Sequence, residues 1–299
     1  MSIARKLIPS GEDQFPFKFK VTTTTSNTVF TCPLVDYGGL TPNLNIDWGD
    51  GSSSGQITAS TSPSRIHTYT SAGNYTVTIS GFMPGFKVNN NSAIRSLITE
   101  IIQFGNVGVR TFDFNGCGNI TSIPTSLALA SVGGYNGLGE MINFDSFLRA
   151  TGISSIPADM FDYSPNATTF SNTFSTCLSL TTAPSGLFDN VTNATSFASC
   201  FFSCTALTSV PTDLFDQNIN VTNFSGTFRN CRALTNVLQF TYNTNVTIFN
   251  NVYNMSTSVN ALTGTAPELW NRTPTPSGTD AFNNCFGLSN YASIPANFK

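Results

Sequence analysis

Three aspartates, Asp162, Asp189 and Asp216, stand 27 residues apart and are the sequence's best candidates for chemistry. Repeats stacked at the roughly 5 Å spacing of neighbouring strands would bring their carboxylates about as close as the pair in a retaining glycosidase. An acid and a nucleophile must differ in pKa, however, and positions related by one repeat share one environment. Turn or cap residues are therefore the expectation, with a bound cation or a hydrolytic site as the alternatives. His67 is the only histidine. It could act as a base, but no Ser or Cys nucleophile motif accompanies it. Asp47 and Asp50 sit in a turn-rich stretch, where such carboxylates shape turns. The seven cysteines include no Cys-x-x-Cys pair, so zinc is not expected. No catalytic, cofactor-binding or metal-binding residue is assigned, no cofactor is implied, and the chain reads as a non-enzyme.

Most of the cysteines belong to a repeated phrase instead. Phe-x-x-Cys-x-x-Leu occurs at Phe174, Cys177, Leu180; at Phe201, Cys204, Leu207; at Phe228, Cys231, Leu234; and at Phe282, Cys285, Leu288. Phe114, Cys117, Ile120 is a variant of it. Phe161, Phe188 and Phe215 keep the same 27-residue step, as do Phe170, Phe197, Phe224 and Pro157, Pro184, Pro211. A degenerate unit lies between Cys231 and Cys285, with Tyr253 in the Phe place and Ser256 in the Cys place. Upstream, Phe147, Ile153 and Pro157 keep the frame with Ala150 in the Cys place. About six coils result, over residues 111–299.

Within a unit, Phe170, Phe174 and Cys177 fall at i, i+4 and i+7, one face of a helix, and Leu180 to Pro184 suits a brief strand. Each coil is read as a short helix or tight turn followed by a short strand. The Phe ladders read as stacked core, each buried ring contributing about 1.5–3 kcal/mol, and not as an aromatic ligand platform. The thiols read as small buried core groups. Equivalent Cα atoms of stacked coils nevertheless fall within disulfide range, so pairing stays open. Asn-x-Thr/Ser sequences at Asn166, Asn190, Asn193, Asn220, Asn223 and Asn245 are expected to form polar ladders between coils and not to carry glycans.

The frame Ala281-Phe282-x-x-Cys285-x-x-Leu288 followed by Ile294-Pro295, seen again in Phe201, Cys204, Leu207 and Val210-Pro211, resembles the BspA-type leucine-rich repeats of bacterial and phage surface proteins. Ile98 to Gly108 resembles the lead-in found ahead of such arrays. The resemblance covers about two-thirds of the chain and implies adhesive or recognition surfaces.

Ahead of the repeats the pattern alternates, at Phe17 to Thr25 and Asn74 to Ser80, as half-buried strands do. Trp48-Gly49-Asp50-Gly51, then His67 and Tyr69, then Gly73, Tyr75 and Val77, resemble the PKD domain, an immunoglobulin-like sandwich. Trp48 stands directly before Gly-Asp-Gly, a departure from that pattern. The resemblance implies a structural hydrogen bond for His67. The expected organisation is an N-terminal arm (1–15), a PKD-like β-sandwich (16–82), a connector and cap (83–110) and the repeats (111–299). The fold class is thus mainly β, an N-terminal immunoglobulin-like (PKD-type) β-sandwich followed by a leucine-rich-repeat solenoid of about six coils.

Only 10% of the residues are charged and the net charge is −3, against about 25% charged in an ordinary soluble domain. No Lys or Arg lies between Arg149 and Arg229, so nucleic acid is not an expected partner. The basic residues near the start precede no apolar run, so a secretory signal is not expected, and no 18-residue apolar stretch suggests membrane insertion. A virion protein released by lysis needs no such signal. The expected function is a non-enzymatic phage virion surface protein, of tail-fibre or adhesin type. Its N-terminal part would hold other virion proteins, and its repeats would bind host cell-surface glycan or protein. A structural capsid or tail decoration protein and a bacterial surface adhesin are the alternatives, and a homo-oligomer is open.

Overall fold

The computed structural model describes residues 15–88, 91–124, 138–139, 141–257 and 259–299; the expected arm, apart from Phe15, lies outside them. The N-terminal part is built on β1 (Phe17–Thr23), whose residues alternate between core and surface. Phe17, Phe19 and Val21 point inward, and polar Lys18 and Lys20 between them point to the other face. β1 pairs antiparallel with β6 (Gly73–Phe82), Phe17 opposite Ile79 and Phe19 opposite Val77. With β3 (Asn43–Asp47), β4 (Ser53–Ile57) and β8 (Ile98–Gln103), the sheet order is β4-β3-β6-β1-β8. β2 (Thr28–Thr31) and β5 (Ile66–Tyr69) pair separately. Their Phe30 and Tyr69 are buried, and Phe30 meets Phe19 at 6.0 Å. The helix α1 (Ser92–Leu97) starts at Asn91, whose side chain accepts from the Ile94 amide, and leads into β8.

The expected fold class needs correction in both halves. An immunoglobulin-like sandwich over 16–82 is not established. The second sheet has only two strands, and the five-stranded sheet takes its edge strand β8 from beyond residue 82. The segment 83–110 is accordingly no simple connector. Its β7 (Gly85–Lys87) pairs in parallel with β9 (Thr111–Asp113). The repeat region, in turn, is not the expected leucine-rich-repeat solenoid of helix and strand. After β9 the described residues contain no α-helix and no strand, only turns, three short 3₁₀ turns and isolated single bridges.

Backbone conformation explains why a helical spacing gives no helix. Most repeats carry two residues with left-handed φ, at Asn172 (57°) and Thr176 (59°), again at Ser199 (55°) and Ser203 (56°), and each one interrupts a helix. Intervening amides close tight turns, Thr173 to Phe170 O, Ser175 to Asn172 O and Cys177 to Phe174 O. The alternate amides point outward along the stack: Phe170, Asn172, Phe174 and Thr176 donate to Ser196, Ala198, Cys200 and Phe202 carbonyls of the next repeat. The 27-residue segments therefore bond to each other in register without forming strands.

Side chains reinforce these contacts. Both the amide and the hydroxyl of Thr195 donate to Thr168 O, and Thr222 does the same to Thr195 O. Thr208 and Thr235 repeat the device on Thr181 O and Thr208 O. A third column captures two turn carbonyls at a time: Asn218 those of Phe188 and Val191, Asn243 those of Phe215 and Asn218, Arg272 those of Phe240 and Asn243. One apolar core runs from Phe17 to Phe298. The column Phe144, Phe170, Phe197, Phe224 and Phe249 stacks at 5.2–5.9 Å.

Gly278 takes the next place in that column, because Phe249 donates to Ser277 O as Phe170 does to Ser196 O. A side chain there would collide with the Phe298 ring, which a Cβ would approach to 1.8 Å. Phe298 thus supplies the ring that position 278 lacks, and its carbonyl accepts from Phe282. Phe298→Ala should cost about 3–5 kcal/mol in chemical denaturation. Adding Gly278→Phe should recover part of this loss, whereas Gly278→Phe with Phe298 in place should destabilise.

Candidate functional site

The five N-terminal motif residues come together. β3 ends in the turn Trp48 to Gly51, where Asp47 Oδ1 accepts from Gly49 N. Gly49 has φ +80°, and a Cβ on it would lie 2.6 Å from Thr76 O, so only glycine fits. Asp50 Oδ1 accepts from the Ser52 amide and hydroxyl, and its Oδ2 is 2.7 Å from His67 Nε2. The imidazole lies flat on buried Trp48 (4.9 Å) and meets the edge of Tyr69 (4.6 Å). Tyr69 stacks on Tyr75 at 4.1 Å and donates its hydroxyl to Trp48 O. His67 is committed to Asp50 and two aromatic rings, which pins β5 to the β3–β4 turn.

In the repeats, Phe174, Phe201, Phe228, Tyr253 and Phe282 form one file, with centroids 5.3–5.9 Å apart. All are fully buried, as are Cys177, Cys204, Cys231 and Cys285 and Leu180, Leu207 and Leu234, with Leu288 almost so. All seven cysteines are free thiols. Each repeat thiol donates to the backbone of the preceding repeat: Cys177 to Leu148 O, Cys204 to Phe174 O, Cys231 to Phe201 O and Cys285 to Tyr253 O. Burial raises their pKa, to about 11 at Cys177 and about 12 at Cys231 and Cys285, so they stay protonated. Leu148 donates to Thr173 O as Phe174 does to Cys200 O. Leu148 and Thr151 therefore hold the Phe and Cys places upstream, one residue later than the expected Phe147 and Ala150. Cys200 stands in the column of Thr173 and Thr227, whose hydroxyls donate to Phe144 O and Phe197 O.

Asp162, Asp189 and Asp216 are neighbours at a turn edge. Asp162 accepts from Asn190 Nδ2. Burial first, then nearby Asp213 and Asp162, raises the pKa of Asp189, and burial, Asp213 and Asp189 raise that of Asp216. Asp213 repeats the place of Asp159 two units upstream, but Gly186 interrupts that register between them, and sequence reasoning passed it over. Of the Asn-x-Thr/Ser asparagines, Asn193, Asn220 and Asn245 donate to Pro165, Thr192 and Ile219 carbonyls of the preceding repeat. Asn223 accepts from Ser225 N within its own turn, and Asn166 is exposed.

A cleft of about 270 Å³ opens where the N-terminal part meets the first repeats. Its wall includes Tyr37 from the loop after β2, Lys87 from β7, Arg110 and Asp113 around β9, and Asn143 and Asp145 from the first turn segment. Parallel pairing sets Lys87 beside Asp113. Asp113 Oδ1 accepts from Asn115 N, and burial raises its pKa against the pull of Lys87 and Arg95. Asp145 Oδ1 accepts from Ser146 Oγ and Asn172 Nδ2. None of these residues was marked by the sequence, because they come from separate pieces of chain that no repeat register relates. No family model matches the chain, and no curated protein matches it in sequence.

The two kinds of aspartate respond to pH with opposite sign. At Asp50 burial opposes the charge, but hydrogen bonds from Ser52 and His67 and the His67 charge outweigh it and lower the pKa. Its stabilisation is full above the ordinary carboxylate value of about 4 and is lost as pH falls through the lowered pKa. Raised Asp189 costs stability at neutral pH, and protonation relieves the cost on acidification. Asp50→Asn should lower Tm at neutral pH by roughly 2–4 °C, the equivalent of about 1 kcal/mol, with the gap closing as pH falls through the lowered Asp50 pKa. Asp189→Asn should raise Tm by about 1 °C at neutral pH and leave it unchanged where wild-type Asp189 is protonated. Thermal melts across pH check both.

Proposed function

We propose that this chain is a non-enzymatic phage virion surface protein, of tail-fibre or adhesin type. In this reading its N-terminal part attaches to other virion proteins and its repeats bind glycan or protein on the host surface. One observation carries the binding role: single parallel bridges join Asn143, Thr169, Ser196, Asn223, Ile248 and Ser277 in one continuous row. Five steps of about 4.8 Å make this row roughly 24 Å long. Partly exposed Ser171, Ala198, Ser225 and Asn250 run beside it. A rigid line of hydroxyls, amides and small side chains suits many weak polar contacts with an extended partner. The resemblance of the Phe282, Cys285, Leu288 frame to repeats of phage and bacterial surface proteins supports the same reading. Asp189 and Asp216 are both raised by burial and by Asp213, so no division between acid and nucleophile falls between them.

Purified particles should contain the chain by mass spectrometry, and the free full-length chain should compete with particles for adsorption to host cells. Ala198→Arg combined with Ser225→Arg places two long cations on the row and should reduce this competition on the order of ten-fold, the loss of about 1.4 kcal/mol. Particles without the chain reject the reading. A chain that is present, does not compete, and whose deletion weakens particles without altering adsorption is a decoration protein.

A further inference from the structure

We infer that the junction cleft is a binding site for a neutral saccharide, one sugar residue in size, held by Lys87, Asp113, Asn143 and Asp145 with Tyr37 at its wall. This goes beyond the repeat row, since Tyr37 and Lys87 lie outside the repeats, but it shares the proposed surface-binding role.

The charge pattern selects the ligand. Two cationic and two anionic side chains line the cleft, so neither a polyanion nor a polycation gains from it overall. Alternating donors and acceptors match a ligand whose every hydroxyl both donates and accepts. Among the described residues Lys87 makes no ion pair, although parallel pairing sets it beside Asp113. Its ammonium keeps its donors for a hydroxyl oxygen. Asp113 engages Oδ1 with Asn115, and Asp145 engages Oδ1 with Ser146 and Asn172. The Oδ2 atom of each can accept from a hydroxyl.

Size and setting agree. At about 270 Å³ the cleft falls just below the roughly 300–1,000 Å³ of drug-sized ligand sites, which suits a single sugar ring. Partial burial of Asp113 lowers the local dielectric, where a charged hydrogen bond is stronger than in water. Tyr37 is held in a tight loop by mutual backbone bonds with Leu40. Its ring offers an apolar surface next to the polar wall.

The test titrates the full chain with glucose, galactose, mannose and N-acetylglucosamine, with glucuronic acid and N-acetylneuraminic acid as charged comparators, followed by saturation-transfer NMR and calorimetry. At least one neutral sugar should bind. Lys87→Gln and Asp113→Asn, the latter keeping an acceptor for Asn115 N, should each weaken it on the order of ten-fold, one hydrogen bond to a charged group. Val259→Ser, at an exposed position outside both the cleft and the row, should leave sugar affinity unchanged. Unaltered circular dichroism and Tm show that the variants are folded. Three results overturn the inference: no neutral sugar binds, the acidic sugars bind better, or affinity is the same in the cleft variants. If no neutral sugar binds while the wild-type chain competes for adsorption and the row variant does not, the cleft inference fails and the surface-binding function stands. If the wild-type chain binds a sugar through the cleft but is absent from particles, the cleft stands and the virion reading fails.

Discussion

The repeat region depends on how its backbone amides are divided. Alternate N–H groups close tight turns inside a segment, and the others cross to carbonyls of the next, as Phe170, Asn172, Phe174 and Thr176 do. Buried amides must all find acceptors, so neither set can be given up. A helix would use every amide locally and leave the segments unjoined; a strand would use none for the tight turns inside each segment. The side chains obey the same constraint. Thr, Asn and Cys are small donors that reach carbonyls the main chain leaves open, which is why a chain with so few charges is rich in them. The cysteine column is a column of hydrogen-bond donors as much as a column of small core groups.

How much of this could be read from the sequence depends on the residue. Phe174, Phe201 and Phe228 were legible because burial in a stack forces the same residue type to return at a fixed interval. The local conformation was not, because Phe170, Phe174 and Cys177 have the spacing of a helical face and periodicity cannot separate a helix from turns with two left-handed residues. A signal was present at the position two after the Phe, filled by Asn172, Ser199, Gly226 and Asn251, and by Asp280 two after Gly278. Asn, Asp and Gly are the residues that adopt positive φ most readily. The one-residue shift to Leu148 and Thr151 was hidden because Phe147 kept an aromatic in the expected place.

The N-terminal part shows the reverse. Trp48, Asp50, His67, Tyr69 and Tyr75 are scattered in sequence yet meet around one imidazole, and the motif they form grouped them where periodicity could not. The sheet topology escaped because β8 comes after a segment that reads as a connector. The junction cleft was wholly invisible. Its wall is contributed by Tyr37, Lys87, Asp113 and Asp145, each from a different piece of chain, and no spacing rule joins them.

The seating of Phe298 over Gly278 has a mechanical consequence. Phe298 closes residues 278–298 into a loop around its own ring, so a pull on Lys299 bears first on an aromatic group lodged where a glycine leaves room. Only when that ring slips out does tension reach the threonine and cysteine columns. The segments would then peel away singly, each rupture exposing the next, in steps that follow the 25- to 29-residue spacing of the bridge row.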